Sequence, residues 1–282
     1  MEIRKVGVVG LGTMGAGIAQ ISVQAGFETV GRDLTDELAQ RGRATIERYL
    51  GRGVEKGRMS AGEKDAALAR LALTIDLREL ADCDLVIEAV LEELDLKRDL
   101  FAELDRITRP DAVLATNTSA LSVGEIAGAT ERPERVVGMH FFNPAPVLPL
   151  VEIVRTPKSA DEAVQAAYAW AERAGKQPVV CNDTPGFIVN RILIPLLNDC
   201  VRALDETGVR PEDMDRAMTN GAGWPLGPCA LLDLIGIDVH VHASEALHRN
   251  LREERMRPPE RLLEMQREGR LGRKSGAGFY QY

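Results

Sequence analysis

Residues 5–34 read KVGVVGLGTMGAGIAQISVQAGFETVGRDL, and this stretch decides the fold of the first part of the chain. A mostly β-branched run at residues 6–9 leads into three glycines in the order G-x-G-x-x-G, namely Gly10, Gly12 and Gly15. An amphipathic segment and a second apolar run follow. A lone glycine triplet is weak evidence, but strand, triplet, helix and strand in this order are typical of a dinucleotide-binding βαβ unit.

Each glycine has a physical role in such a unit. Gly10 permits the tight turn, Gly12 lets the backbone approach a pyrophosphate, and Gly15 lets helix and strand pack closely. The second run ends in Arg32 and Asp33, where an acid can bind the ribose 2′-hydroxyl, about 20 residues beyond the glycines. This carboxylate would repel a 2′-phosphate, so NAD is predicted over NADP. NADP remains an alternative, because the adjacent Arg32 could bind that phosphate. A second alternative for the whole βαβ unit is a site for a flavin or a plain nucleotide.

The first 184 residues continue to alternate strand and helix signals. Alternation of this kind predicts a mostly parallel, doubly wound sheet of the Rossmann type, whose ligands lie beyond the carboxyl ends of the strands. Glu92, Ser119 and His140 are expected at that edge of the sheet. Further strands are expected at residues 85–90, 113–115, 135–142 and 150–154, and a long helical stretch at residues 37–71.

The last 100 residues or so lack strand signals, so we predict a domain boundary near residue 184. Residues 1–184 would form the α/β domain with a helical arm, and residues 185–282 an all-helical substrate and dimerisation domain. Pro185 and Gly186 are expected to open its first helix, and Gly208 to close it. The apolar stretch at residues 226–237 favours a homodimer, because such faces often close symmetric oligomers.

Bulk properties exclude several classes of function. The net charge of −8 disfavours nucleic-acid binding, and no apolar run approaches the roughly 20 residues that a membrane span needs. The four cysteines form no C-x-x-C pair, which is typical of a cytoplasmic protein without a zinc ribbon. His240 and His242 are spaced as His-x-His but lack further ligands nearby, so no metal site is predicted.

The predicted helical stretch at residues 37–71 is rich in cations, which allows two interpretations. It is either an exposed charged hairpin or a cationic arm for an anionic part of the substrate, since both lysine and arginine bind phosphates. The cations are Arg41, Arg43, Arg48, Arg52, Lys56 and Arg58.

One imidazole and one carboxylate lie in the apolar stretch GMHFFNPAPVLPLVEIV, residues 138–154. Taken alone, this pattern favours a buried histidine of the hydrophobic core over a functional His140. Glu152, in the next apolar run, makes the pair a candidate for proton transfer, because titratable groups in desolvated places often have functional roles.

The chain resembles a known family through motifs that occur in this order: GLGTMGAGIAQ, CDLVIEAVLEE, NTSALS, GMHFFNPAPVLPLVEIV, DTPGFIVNRILIP and LGRKSGAGFY. It is similar to the short-form 3-hydroxyacyl-CoA dehydrogenases over nearly its whole length, and most of all to the bacterial 3-hydroxybutyryl-CoA dehydrogenases. The resemblance implies NAD-dependent interconversion of (S)-3-hydroxybutyryl-CoA and acetoacetyl-CoA.

The resemblance also implies roles for particular residues. His140 would be the catalytic base and Glu152 its partner, and Ser119 and Asn190 would bind the substrate. Histidine suits this reaction because it exchanges protons near neutral pH, and an ionised glutamate stabilises the imidazolium that forms. The coenzyme A contacts would be Arg52 and Lys56, and the cofactor contacts Gly10, Gly12, Gly15, Asp33, Glu92, Lys97, Asn143 and Lys274.

Two other readings keep the fold and change the function. A dehydrogenase of 3-hydroxyadipyl-CoA, of longer 3-hydroxyacyl-CoA thioesters or of a gulonate-like sugar acid would keep the His140–Glu152 pair. A nucleotide-binding protein without turnover is the alternative from another class, and the intact set of His140, Glu152 and Asn190 disfavours it.

Overall fold

The computed structural model describes all 282 residues of the chain. The chain divides into two compact units, Met1–Thr184 and Pro185–Tyr282. The first unit is an α/β structure built on one sheet, and the second is helical. None of the helices has the length and apolar character that crossing a membrane requires.

The sheet of the first unit has eight strands in the order β3-β2-β1-β4-β5-β6-β7-β8. The pairings from β3 across to β6 are parallel, β7 runs antiparallel to β6, and β8 runs parallel to β7. This order confirms the predicted doubly wound, mostly parallel sheet. The strands are β1 (Lys5–Val9), β2 (Glu28–Arg32), β3 (Leu71–Thr74), β4 (Leu85–Glu88), β5 (Val113–Thr116), β6 (Val136–Phe141), β7 (Leu150–Arg155) and β8 (Gln177–Asn182).

Helices connect the parallel strands and complete the core. The central strands β4, β5 and β6 are buried along their whole length, as expected for a parallel sheet that is covered on both faces. Trp170 packs against Phe27 and Phe141, with ring centroids 6.0 Å apart in each pair. The helices are α1 (Thr13–Gln24), α2 (Asp36–Glu55), α3 (Ala61–Leu68), α4 (Leu94–Ile107), α5 (Val123–Ala127) and α6 (Asp161–Arg173).

The stretch predicted as helical over residues 37–71 contains two helices, as the hairpin interpretation expected, and its last residue belongs to a strand. Helix α2 ends before Gly57, whose φ of +66° leaves the helical conformation, and Ser60 then caps α3 in a capping box with Glu63. Leu71 starts the short edge strand β3, which pairs with β2. A strand of four residues with only Leu71 buried gives no alternating signal to read from sequence. The strand expected at residues 85–90 ends earlier, at Glu88.

The second unit is built from five α-helices and two 3-10 turns. Its first helix begins at Val189, because Gly186 and Phe187 both have positive φ, of +78° and +47°. The predicted opening at Pro185 and Gly186 was therefore early, whereas Gly208 ends the helix as predicted, in the left-handed conformation. The elements are α7 (Val189–Thr207), α8 (Pro211–Gly221), α9 (Pro228–Ile235), α10 (Ile237–Leu251) and α11 (Glu260–Arg267), with 3-10 turns at Glu254–Met256 and Arg273–Ser275.

His240 of α10 is buried in the second unit, with 2% of its surface exposed. Its Nε2 shares a hydrogen bond of 2.8 Å with Asn198 Oδ1, and the Asn198 amide donates in turn to Ser244 Oγ. Burial lowers the pKa of His240 from 6.5 to about 4, because the interior disfavours the charged ring. The network therefore holds a neutral imidazole.

This burial predicts that stability falls in mildly acidic solution. The unfolded chain binds the proton near pH 6.5 and the folded chain only near pH 4, so the contribution of His240 is complete above pH 6.5 and is lost as pH falls towards 4. When the pH is lowered from 7.5 to 5.5, the free energy of unfolding of His240→Gln should fall by about 1 kcal/mol less than that of the unsubstituted chain. Urea unfolding at the two pH values measures both changes. His242→Gln, on the exposed side of the same helix, is the matched control. An equal loss in all three proteins would contradict the account.

Candidate active site

The glycine loop lies at the carboxyl end of β1, which pairs with β2 on one side and β4 on the other. Gly10 has a φ of +87°, and a Cβ at Gly15 would lie 1.7 Å from the Gly10 carbonyl oxygen. Neither position tolerates a side chain in this backbone. A Cβ at Gly12 would meet nothing within 4 Å, so the chain leaves open space there. Helix α1 has no side-chain cap at its N-terminus. Its first backbone N–H groups can therefore bind an anion such as a pyrophosphate.

Asp33 follows β2 and is fixed beside this loop. Its Oδ2 accepts a hydrogen bond of 2.8 Å from the Leu11 amide, and its Oδ1 one of 2.7 Å from the Leu34 amide. The neighbouring Arg32 donates from Nε to the Ile75 carbonyl oxygen, at 3.3 Å. The open glycine loop and the fixed carboxylate fit the pyrophosphate and a ribose diol of a dinucleotide.

A buried ionic cluster lies beyond β4 and β5. Lys97 of α4 is 1% exposed, and its Nζ lies 2.5 Å from Glu88 Oε1 and 3.3 Å from Glu92 Oε2. Glu88 also accepts hydrogen bonds from the Val90 amide and the Thr116 hydroxyl, at 2.7 Å each. Sequence reasoning placed Glu92 and Lys97 at the cofactor and missed Glu88, although an acid at the end of a buried strand was a visible signal.

Glu92 connects this cluster to Ser119. Its Oε1 accepts from the Thr118 hydroxyl at 2.6 Å, from the Ser119 amide at 2.7 Å and from the Ser119 hydroxyl at 3.2 Å. Burial opposes ionisation of Glu92, but the charge of Lys97 and the bonds from Thr118 and Ser119 outweigh it and lower its pKa. The structure thus brings Glu92, Lys97 and Ser119 together at one edge of the sheet.

His140 and Glu152 face each other across the antiparallel strands β6 and β7, as directly paired residues of the register. His140 Nδ1 lies 2.6 Å from Glu152 Oε2, and the residues are 5% and 0% exposed. The Phe142 ring lies 4.5 Å from the imidazole, centroid to centroid. An imidazole whose Nδ1 contacts a buried carboxylate is fixed in tautomer and orientation, and its Nε2 is the nitrogen suited to proton transfer.

The loop between β6 and β7, residues 142–149, carries the exposed Asn143. Lys176 holds this loop through its Nζ, which donates to the carbonyl oxygens of Ala145 at 2.5 Å and Leu148 at 3.0 Å. Lys176 is 8% exposed, and burial lowers its pKa. Sequence reasoning missed Lys176, because its partners are backbone atoms about 30 residues away that leave no pattern.

The predicted cationic arm divides into two parts. Arg41 and Arg43 form ion pairs within α2, with Glu37 and Glu47. Arg52, Lys56 and Arg58 instead line a cleft of about 440 Å³, together with Tyr49 and residues of the 142–149 loop. The Arg52 guanidinium carbon lies 5.8 Å from the centre of the Tyr49 ring. Only the second part of the arm is therefore arranged for a bulky anionic ligand.

Two predicted site residues lie in the second unit. Asn190 is half-buried in the first turn of α7. Lys274 lies in the last 3-10 turn, where its Nζ pairs with Asp238 at 2.5 Å. The tail that follows is anchored, since Asp233 accepts the amides of Phe279 and Tyr280 at 2.9 Å each.

A sheet of this order with a glycine loop at its switch point is typical of a dinucleotide-binding enzyme, and the buried imidazole–carboxylate pair is suited to proton transfer. Comparison with protein families gives the particular family. Residues 5–184 match the model described as 3-hydroxyacyl-CoA dehydrogenase, NAD binding domain, and residues 186–282 match the C-terminal domain of the same enzymes. The chain belongs to the 3-hydroxyacyl-CoA dehydrogenase family, which confirms the resemblance and the prediction of NAD as cofactor.

Individual relatives are similar over the whole chain. A 3-hydroxybutyryl-CoA dehydrogenase of Mycobacterium tuberculosis is 44% identical, and the match covers 99% of each chain. The crystal structure of an (S)-3-hydroxybutyryl-CoA dehydrogenase of Ralstonia eutropha superimposes with a TM-score of 0.96 at 40% identity, covering 100% of this chain and 99% of the other. A 3-hydroxyadipyl-CoA dehydrogenase of Escherichia coli is 41% identical over 100% of this chain and 60% of its own.

The position of Asp33 predicts how cofactor preference can be changed. With Asp33 at the adenosine ribose, as predicted, Asp33→Ala would remove a carboxylate that repels a 2′-phosphate and leave Arg32 beside the vacated position, so the ratio of the Kd values for NADPH and NADH should fall roughly tenfold or more. Fluorescence titration with both reduced cofactors measures this ratio. Asp36→Ala, an exposed acid in the first turn of α2, should leave the ratio as it is. An unchanged ratio in Asp33→Ala would remove Asp33 from the cofactor site.

Proposed function

We propose that this chain oxidises (S)-3-hydroxybutyryl-CoA to acetoacetyl-CoA with NAD and catalyses the reverse reduction. The observation that carries the proposal is the buried contact of 2.6 Å between His140 and Glu152. The relatives named as 3-hydroxybutyryl-CoA dehydrogenases support the choice of substrate, because they match from end to end.

The reaction removes a hydride from carbon 3 and a proton from its hydroxyl. NAD, when bound, accepts the hydride. His140 takes the proton on Nε2, because its Nδ1 is held against Glu152. The Glu152 carboxylate stabilises the imidazolium that results, and the low exposure of both residues keeps water from competing. In the reductive direction the same imidazolium donates the proton to the carbonyl oxygen.

Ser119 and Asn190 orient the substrate in this proposal. Ser119 is exposed at the carboxyl edge of the sheet and is held there by Glu92. Asn190, in the first turn of α7, provides an amide for the carbonyl side of the substrate. Fixing the reacting groups in this way removes entropy from the barrier.

The cofactor would lie along the carboxyl edge of the sheet. Gly10, Gly12 and Gly15 admit the pyrophosphate, and Asp33 binds the adenosine ribose. On the nicotinamide side, we assign contacts with the ribose to Glu92, Lys97 and Asn143, and Lys274 would be a further contact with the cofactor.

The cleft lined by Arg52 and Lys56 would hold the phosphates of coenzyme A. The first unit would then bind the nucleotide, and the second would serve as a substrate and dimerisation domain, with the chain forming a homodimer. Exposed apolar side chains on the second unit, such as Ile192, Leu234 and Val239, support that assembly. We place the enzyme in the cytoplasm, in accord with its free cysteines.

A second candidate substrate is 3-hydroxyadipyl-CoA, which the Escherichia coli relative at 41% identity favours. It differs from the four-carbon substrate by a longer acyl chain that ends in a carboxylate. Loss of NADH absorbance, followed with acetoacetyl-CoA and with 3-oxoadipyl-CoA, distinguishes the two. A higher kcat/KM with the four-carbon thioester supports the proposal, a higher value with the six-carbon one favours the second candidate, and no turnover with either contradicts both.

Replacing either member of the buried pair should slow chemistry. His140→Gln and Glu152→Gln should each lower kcat by about 10²–10⁴-fold, because a positioned acid or base contributes this much. The Kd for NADH should stay within a few-fold of that of the unsubstituted chain. Stopped-flow assays of acetoacetyl-CoA reduction and NADH titrations give the two quantities. Unchanged turnover in both variants would refute the assignment of the pair.

Removing a cation from the cleft should weaken binding of coenzyme A specifically. Arg52→Ala or Lys56→Ala should raise KM for acetoacetyl-CoA roughly tenfold, as expected for loss of a charge-assisted contact. KM for the N-acetylcysteamine thioester of acetoacetate, which lacks the nucleotide, should not change. Arg41→Ala serves as control, since Arg41 pairs with Glu37 and does not line the cleft. Equal effects on both thioesters would contradict the assignment.

A further inference from the structure

Glu88 has no role in the mechanism proposed above, yet it is the most enclosed member of the ionic cluster. It is 0% exposed and ends β4, a central strand of the sheet. Its Oε1 binds Lys97 Nζ and the Val90 amide, and its Oε2 binds the Thr116 hydroxyl. Both carboxylate oxygens are therefore occupied by donors within the protein.

The cluster contains one ammonium group between two carboxylates. Lys97 Nζ is closer to Glu88, at 2.5 Å, than to Glu92, at 3.3 Å. If each group carries its usual charge, the cluster has a net charge of −1 in a poorly solvated place. The excess negative charge lies on Glu92, because its side chain is 38% exposed whereas that of Glu88 is fully buried.

Hydrogen bonds keep Glu92 charged and in place. Its Oε1 accepts from the Thr118 hydroxyl and from the amides of Ser119 and Ala120, at 2.6–3.1 Å. These donors favour the carboxylate form. The structure thus presents a fixed negative charge at the edge of the sheet where the proposed function places the nicotinamide ribose.

We propose that Glu88 is a positioning residue that engages Lys97, leaves the negative charge of Glu92 uncompensated and thereby favours oxidised over reduced cofactor. The inference rests on the proposed function, which assigns Glu92 and Lys97 to the nicotinamide side. The nicotinamide ring of NAD⁺ carries a positive charge and that of NADH is neutral, so a nearby carboxylate stabilises only the oxidised form. Without Glu88, Lys97 would neutralise Glu92 instead.

Glu88→Gln tests this directly, because the amide is close in shape to the carboxylate and removes one negative charge. The Kd for NAD⁺ should rise roughly five- to tenfold relative to the Kd for NADH. NADH fluorescence titration gives the second constant, and displacement of NADH by NAD⁺ gives the first. Glu93→Gln, an exposed neighbour outside the cluster, should leave the ratio of the two constants unchanged.

The double variant Glu88→Gln/Lys97→Met separates charge from structure. It removes one charge of each sign, so the cluster keeps −1, and it leaves no buried ion without a partner. The ratio of the Kd values should return to within about twofold of that of the unsubstituted chain, even if both cofactors bind more weakly. This variant also provides the test if Glu88→Gln alone does not fold.

Two results would overturn the inference. One is a Glu88→Gln variant in which both cofactors weaken in parallel, as a purely structural role would produce. The other is a double variant in which the ratio of the Kd values for NAD⁺ and NADH stays as altered as in Glu88→Gln. Where the single variant does not fold, a ratio in the double variant that differs severalfold from that of the unsubstituted chain has the same meaning. Failure of the proposed function would look different, since the unsubstituted chain would then not bind NADH or not reduce acetoacetyl-CoA.

Discussion

The antiparallel pairing of β6 with β7 is the constraint on which the site depends. It sets His140 directly opposite Glu152, inside a sheet whose other central strands are parallel. Because side chains alternate between the two faces of a strand, a slip of one residue in this register would separate the imidazole from the carboxylate. The loop that joins the strands is in turn held by Lys176. The proposed proton transfer therefore depends on the backbone hydrogen bonds that fix the register of β6 and β7.

The same sheet brings together the other parts of the proposed site. The glycine loop follows β1, the ionic cluster follows β4, and Ser119 follows β5, so all three lie at one edge. The cluster is connected to Ser119, because Glu92 binds both Lys97 and Ser119. In the proposed function, Glu92 therefore couples charge on the cofactor side to order on the substrate side through one carboxylate.

Local patterns were enough to predict the parts of the fold that local chemistry determines. The glycine loop and the buried strands were predicted from sequence, and the family motifs pointed to His140 and Glu152. Strand β3 was missed, because its pairing with β2 leaves no periodic pattern in the sequence. The start of α7 was misplaced, because periodicity does not show the positive φ of Phe187. The contacts of Lys176 were missed for a similar reason, since its partners are backbone carbonyl oxygens about 30 residues away. Sequence shows which residue types are present, whereas long-range packing decides which of them touch.

In the proposed mechanism, Glu152 acts on catalysis only through His140. A double-mutant cycle on kcat for acetoacetyl-CoA reduction tests it most directly, using His140→Gln, Glu152→Gln and the combined variant. If the residues act as one unit, the combined variant should be no slower than His140→Gln, within about twofold. Losses that multiply would show that the two residues act independently, and the pairing at 2.6 Å would then be structural and not catalytic.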